Sequence, residues 1–458
     1  MTSTRTPGVF PLLVAVAAGF AAFSLMLPVA PLAVLDAGGG ASLAGATTAA
    51  FMGVTVLTQL ATSRAIDAVG YRVVMMVSAA FLGLPALAQL LSENPWVILG
   101  ISAVRGVGFG TLVVTQYALA ARLVPASALG RVSGAVGVAG GAAQMVGLPL
   151  GLAIASSWAG FAGVYVLTAA VGLAGAALCL IIPNPASGGG GPPGGEKKPP
   201  LGEKEPPLGE KEPPLADKES PLADKESPLA ENKPPLGEKE PPLAGEDSAP
   251  KASTSNAKWG RLLVPALALS SVSMGYGAVS SFLPAAARDL DPAAGAAIAG
   301  VLLSLVGGAQ MVSRYGAGVS ADRTQRAGFL LLPGLVVAGV GIAGTWWVLV
   351  GHEPVWGLVP LMLAFGAGFG VVQNEALLVL FSRVPRAGIT RASTAWNVAF
   401  DAGTGVGSLL LGAVAGAIGF GGAFLVGAGL VAAGFALVSA EHAAFRRQGG
   451  QPRRQPRG

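Results

Sequence analysis

Residues 106–147 read GVGFGTLVVTQYALAARLVPASALGRVSGAVGVAGGAAQMVG, and residues 366–407 read GAGFGVVQNEALLVLFSRVPRAGITRASTAWNVAFDAGTGVG. Offset by 260 positions and aligned without a gap, the two stretches share 14 of 42 residues. The pairs include Gly106/Gly366, Gly108/Gly368, Phe109/Phe369, Gly110/Gly370, Pro125/Pro385, Arg131/Arg391 and Ser133/Ser393. A bias toward Gly and Ala accounts for some matches, but not for aligned Phe, Pro, Arg and Ser. Each copy starts on an apolar run, crosses a turn containing arginine and climbs a second apolar run. The pattern reads as a duplication in parallel orientation, one copy in each half of the chain.

The surrounding sequence extends that reading. A bilayer-spanning helix needs about 20 apolar residues. Six such runs lie near 9–35, 43–63, 73–92, 95–121, 131–156 and 160–182, and six more near 261–286, 295–317, 328–350, 355–382, 389–415 and 419–440. The expected fold is an all-α membrane protein: twelve transmembrane helices in two pseudo-symmetric six-helix bundles, residues 1–182 and 259–445. The first apolar run of each quoted copy (95–121 and 355–382) is the fourth helix of its bundle, and the second (131–156 and 389–415) the fifth.

Composition agrees. Hydrophobic residues make up 52% of the 458, and charged residues only 12%, about half of the ~25% that a water-soluble protein carries. All ten lysines and fourteen of the acidic residues fall within 183–258. The rest of the chain, with 19 arginines and 10 acids, has too little charge to coat a globule. One cysteine, Cys179, permits neither an intramolecular disulfide nor a thiolate zinc site. Two histidines, His352 and His442, near helix ends, leave little for a metal centre or a hydrolytic triad. No metal or cofactor is expected, and no enzyme activity. Formal charge +5 does not call for nucleic acid, because excess arginine marks cytoplasmic loops. The first apolar run is too long for a cleavable signal peptide.

The arginines set the orientation. One set of loops holds Arg64, Arg72, Arg122, Arg131, Arg314, Arg323, Arg326, Arg383, Arg386 and Arg391, and the basic tail 446–458 lies on the same side. The opposite loops carry Asp36, Glu93, Asp289, Asp291 and Glu353, with Arg288 as their cation. The positive-inside rule places both termini in the cytoplasm, in a bacterial inner membrane. Between the bundles, residues 183–258 form a linker in which a seven-residue unit (PPLGEKE, PPLADKE and variants) repeats seven times from Pro199 to Asp247. Its prolines break helices and one Leu per unit cannot bury a core, so an extended tether is expected.

Three local patterns carry a family resemblance. After the second helix stands Ser63-Arg64-Ala65-Ile66-Asp67-Ala68-Val69-Gly70-Tyr71-Arg72, and after the eighth Gly318-Val319-Ser320-Ala321-Asp322-Arg323. The fourth helix holds Ser102-Ala103-Val104-Arg105-Gly106-Val107-Gly108-Phe109-Gly110, and the fifth Gly147-Leu148-Pro149-Leu150-Gly151. On these residues the chain resembles the major facilitator superfamily over all twelve spans. Within it, the chain resembles the twelve-helix drug–proton antiporters, of an actinobacterial type suggested by its lysine-poor, Ala/Gly/Arg-rich composition.

The resemblance implies a conformational latch at Asp67, Gly70 and Arg72 and at Gly318, Asp322 and Arg323. It departs from the family at Ser63, Ala68 and Tyr71. On the fourth helix Arg105 stands where the family has glutamine, which puts transfer of the family arginine's proton-coupling role in doubt. On the fifth, the glycines Gly147 and Gly151 keep the antiporter spacing, with Pro149 one place late. That pattern points to export.

Depth picks out the candidate pathway residues. At 1.5 Å per residue, Glu375 and Asp401 come out near the midplane of a ~30 Å core, where ionisable groups are functional candidates. Arg105, about 15 Å down its helix, is read as an anion contact, a counter-ion or a structural ion pair. Gln116, Gln144, Gln373, Asn374 and Asn397 are candidate cavity polar groups. The expected function is proton-coupled export of a small organic compound (drug or natural product) by alternating access. Partners are the substrate, protons and the lipid bilayer, and the chain is expected to be a monomer. The alternatives are a proton-coupled importer of a metabolite and a membrane scaffold displaying the linker.

Overall fold

The computed structural model describes residues 8–183 and 255–449 apart from 325 and 385–388, and the side chains of 126–131, 255–261, 296, 322, 389–391 and 445–449 are also outside the description. The repeat linker and the end of the basic tail therefore lie outside the described residues. Among these residues there is no strand.

In lipid every backbone N–H and C=O needs an internal partner, so an apolar chain of this kind folds as helices. They are α1 (Val9–Asp36), α2 (Ala41–Val69), α3 (Tyr71–Leu91), α4 (Pro95–Leu123), α5 (Ala126–Ala155) and α6 (Gly160–Ile181). Then come α7 (Ser255–Leu290), α8 (Gly295–Thr324), α9 (Leu331–Gly351) and α10 (Val355–Ser382). A last helical stretch, Ile389–Gly449, has non-helical backbone at Ile418 and Gly419 and so divides into α11 (389–417) and α12 (420–449). Twelve spans result. The break at 418–419 coincides with the gap expected between the runs 389–415 and 419–440.

Helix ends differ from the expectation in a way that matters. α2 continues to Val69 and α8 to Thr324, so the stretches 63–67 and 318–323 are the last turns of helices. Only Gly70, at φ 84°, makes the turn between α2 and α3. Similarly α7 begins at Ser255, inside the stretch read as linker, and α12 runs on to Gly449.

The duplicated glycines explain themselves in the packing. A Cβ at Gly106 or Gly110 would strike the backbone carbonyls of Phe51 or Thr55 on α2, and one at Gly108 that of Ser78 on α3. In the second half, Gly366 and Gly370 abut the carbonyls of Val306 and Gln310 on α8, while Gly368 meets Gly334 and Ala338 on α9. Small residues let helices approach closely in a bilayer, where lipid-like side chains supply no hydrophobic drive. Phe109 and Phe369, between those glycines, anchor matching aromatic clusters: Phe20, Phe23 and Phe51 around one, Tyr276, Phe365 and Phe400 around the other.

The halves meet along α2 against α11 and α5 against α8. Hydrogen bonds and ion pairs between them, among the described residues, lie from the end away from the arginine-rich turns inward. At that end the Arg288 guanidinium pairs with Asp36 at 2.7 Å. Further in, the Ser42 hydroxyl donates to the Gly412 carbonyl, Thr48 bonds Ser281 at 3.0 Å, and Ser304 donates to the Met145 carbonyl. Of these bonds, the one furthest toward the arginine-rich end is Gln59 to Asp401.

Candidate functional site

Asp401 stands on α11 one residue before a run of small residues, Ala402 to Gly405, that packs against α7 and α2. Its side chain is buried at 3% exposure. The Gln59 Nε2 amide of α2, in the other half, donates to its Oδ2 at 2.6 Å. A carboxyl so placed is held by an amide, not by a cation, and it sits on the seam across which the two bundles meet. That seam location is what a proton-carrying group needs if its protonation is to alter how the bundles fit.

Glu375 is placed differently from the expected midplane position. It is buried on α10, but its carboxylate accepts from the Gly328 N–H at 2.6 Å, with Leu330 as a second backbone donor. Gly328 and Leu330 form the turn into α9. A helix start exposes unpaired N–H groups and a partial positive charge, both of which a carboxylate satisfies. Glu375 therefore ties α10 to the start of α9 within one half.

Arg105 is 2% exposed. Its Nε donates to the Leu82 carbonyl of α3 at 2.9 Å and an Nη to the Ala22 carbonyl of α1 at 2.8 Å, and its guanidinium lies 5.9 Å from the Phe51 ring centroid. No carboxylate pairs with it among the described residues, so the ion-pair alternative does not hold there. It lines a narrow crevice with Phe23, Phe51, Thr47, Thr48 and Ser102.

The other polar candidates fall into two groups. Gln373 and Trp396 gather beside α8: Gln310 Nε2 donates to Gln373 Oε1 at 3.0 Å and Trp396 Nε1 donates to the Gln373 carbonyl at 2.9 Å, while Asn397 bonds within its own helix, to the Ser393 carbonyl. Asn374 leaves its Nδ2, and Gln116 its Oε1, buried without a partner. Gln144 is half-buried on α5, and no hydrogen bond joins it to this group.

Two site residues escaped the sequence reading. Arg314, counted with the loop arginines, lies ten residues inside α8. Its Nη1 approaches Gln373 Oε1 at 3.4 Å and its guanidinium stands 5.3 Å from the Trp396 ring centroid. Gln59, the partner of Asp401, was also passed over. An amide in mid-helix was the signal that singled out Gln116 and Gln144, and it applied equally to Gln59.

No hydrogen bond or ion pair links the residues expected to form a latch to one another among the described residues. Asp67 is exposed on the last turn of α2 and makes no hydrogen bond or ion pair among the described residues. Gly318 lies beside Asn374, Arg323 is exposed, and the Asp322 side chain falls outside the described residues. On α5, a Cβ at Gly147 would meet Ser24 and one at Gly151 the Leu25 carbonyl of α1, while Pro149 packs on Gly300 of α8. No group of three or more His, Cys, Asp or Glu side chains could hold a metal among the described residues.

The family model described as Major Facilitator Superfamily matches residues 12–402. No curated protein matches the chain. Among solved structures, the nucleoside transporter NupG superposes with a TM-score of 0.64 at 10% identity, over 94% of this chain and 99% of its own. A bacterial homolog of the human lysosomal transporter Spinster, inward-facing and unoccupied, gives 0.66 at 11% identity, covering 94% of each chain. A D-xylose–proton symporter gives 0.66 at 12% identity, over 94% and 96%. At such identities the likeness is one of fold.

Proposed function

The chain belongs to the major facilitator superfamily, and we propose that it is a proton-coupled exporter of a small organic compound, working by alternating access with Asp401 as the proton carrier. The carrying observation is the Gln59–Asp401 hydrogen bond across the two halves. Neutral, the carboxyl fits a dry seam; ionised, it draws water or a cation and favours parting of the bundles, since burying an unpaired charge is costly. Loading and unloading a proton thereby biases the rocking equilibrium. We place the arginine-rich end, both termini and the repeat tether in the cytoplasm. With cross-half bonds concentrated at the other end, the conformation described is then open toward the cytoplasm, the state that receives cargo for export. Exposed, unbonded Asp67 fits the same state, with its latch released. The direction rests on the α5 pattern Gly147, Pro149 and Gly151, whose close packing on α1 and α8 would hold the far end shut until cargo is bound. Glu375 has a structural task in this scheme, and Arg105 contributes a fixed positive charge in the first half.

Proteoliposomes with an imposed pH gradient test the proposal. Asp401→Asn is expected to lose uphill transport and keep downhill exchange, because the amide can still bond Gln59 but cannot exchange a proton. Full uphill transport by Asp401→Asn would remove this carboxyl from the mechanism. The cargo is found first, by screening exchange of labelled compounds with the unaltered protein.

A further inference from the structure

Arg314 has a different standing from Arg105, Arg288 and Arg383. Arg288 and Arg383 each hold a carboxylate at 2.7 Å. Arg105 is fully enclosed and makes two short bonds to carbonyls. Arg314 has one long contact, 3.4 Å, to an oxygen that already accepts from Gln310. A guanidinium carries five N–H donors in a planar fork, so most of its capacity is unspent. No carboxylate lies within ion-pair distance of it among the described residues.

Its setting is also specific. It lies ten residues, about 15 Å, along the helix from the end of α8, and a cation within a span costs several kcal/mol unless it meets a polar cavity or a partner. Behind it, in its own half, stand Gln373, Gln310 and the Trp396 ring. In front, the Tyr117 phenol of α4, in the other half, lies close enough to interact with it electrostatically. Yet Arg314 and Tyr117 are both exposed. Two exposed side chains within electrostatic reach of each other from different bundles border the space between those bundles.

We infer that Arg314 is the contact for an anionic group on the transported compound, which is a small carboxylate with an apolar body. The planar fork matches a carboxylate in a bidentate pair. Trp396, stacked on Phe400, and Tyr117 supply apolar walls beside it. Arg105 adds a second buried positive charge to the interior. This deepens the transporter reading and rests on it for the word "transported"; binding itself is independent of it.

Arginine modification by phenylglyoxal, followed at the Arg314 peptide by mass spectrometry in the full-length detergent-purified protein, tests the inference. Propionate, benzoate and salicylate are the probes, with benzamide as the neutral isostere of benzoate. Arg314 is expected to react, and a bound carboxylate to slow that reaction about fivefold at roughly four times its dissociation constant. Benzamide is expected to leave the rate unchanged. An unreactive Arg314, protection by none of the three carboxylates, or equal protection by benzamide would each overturn the inference. The unaltered protein answers this without relying on any variant. As a second reading, carboxylate-dependent thermal stabilisation should vanish in Arg314→Gln and persist in part in Arg314→Lys; persistence in full in Arg314→Gln counts against it. Protection without proton-driven transport would leave this site standing and defeat only the exporter reading.

Discussion

In the first copy of the repeat, Gly106, Gly108 and Gly110 bring α4 against α2 and α3; in the second, Gly366, Gly368 and Gly370 bring α10 against α8 and α9. The polar positions do not follow. Opposite Arg105 stands Phe365, opposite Val113 and Val114 stand Gln373 and Asn374, opposite Thr115 stands Glu375, and opposite Gly141 stands Asp401. Duplication kept what two helices need in order to touch. It released these polar positions, and there the second half gathered most of the chemistry. A shared frame with divergent linings is how a symmetric scaffold comes to bind an asymmetric compound.

The sharpest way to break this comparison is to attack the frame in both halves. Gly106→Val and Gly366→Val each drive a side chain into a neighbouring backbone carbonyl, which cannot rotate away. Each should cost about 3 kcal/mol or more, read as loss of monodisperse protein and a large fall in melting temperature. Gly100→Ala and Gly307→Ala, where a new Cβ meets nothing within 4 Å, should be close to silent. A frame that matters in only one half would show as a large difference between Gly106→Val and Gly366→Val, and the argument from duplication would fail.

The same division separates what sequence reading could reach from what it could not. Span number follows from apolar run length and the halves from aligned Gly and Phe, because both reflect local constraints that lipid imposes everywhere. Where a helix stops is less local. Polar residues at the ends of α2 and α8 look like loop until the backbone is seen to continue, and Arg314, although inside the run 295–317, reads as a turn residue by its charge alone. The pairing of Gln59 with Asp401 spans 342 positions and depends on how α2 crosses α11, which no periodicity encodes. Glu375 shows the same limit: its place on an apolar run is legible, but not that the α8–α9 turn comes to meet it and draws it away from the midplane position.

Glu375 offers a milder test of the asymmetry, since its counterpart is Thr115. Glu375→Gln keeps an oxygen for the Gly328 N–H but removes the negative charge from the start of α9. The expected loss is about 1 kcal/mol of stability, with uphill transport retained. Thermal melting and the pH-gradient assay, run together, check it. Loss of uphill transport with unchanged melting would return Glu375 to the proton pathway and weaken the case for Asp401.

The smallest effect is expected where α1 and α7, the first helices of the two halves, meet through opposite charges. Asp36 and Arg288 are each about one-third exposed, with side-chain values of 35% and 36%. An exposed pair of this kind contributes roughly 0–1 kcal/mol and is screened by salt. It bridges the halves only while their far ends are together, so its loss should act on the conformational equilibrium more than on folding. Asp36→Asn should therefore shift the balance between closed and parted far ends by at most about fivefold. The shift would be read as reduced cross-linking of cysteine pairs placed at the far ends of α1 and α7. Raising salt should shrink the difference between variant and parent, and the swap Asp36→Arg with Arg288→Asp should restore most of it. A shift that ignores salt, or that the swap leaves uncorrected, would mean that shape alone closes this end: the frame shared by both halves would then hold the far seam, and the charges that distinguish them would not.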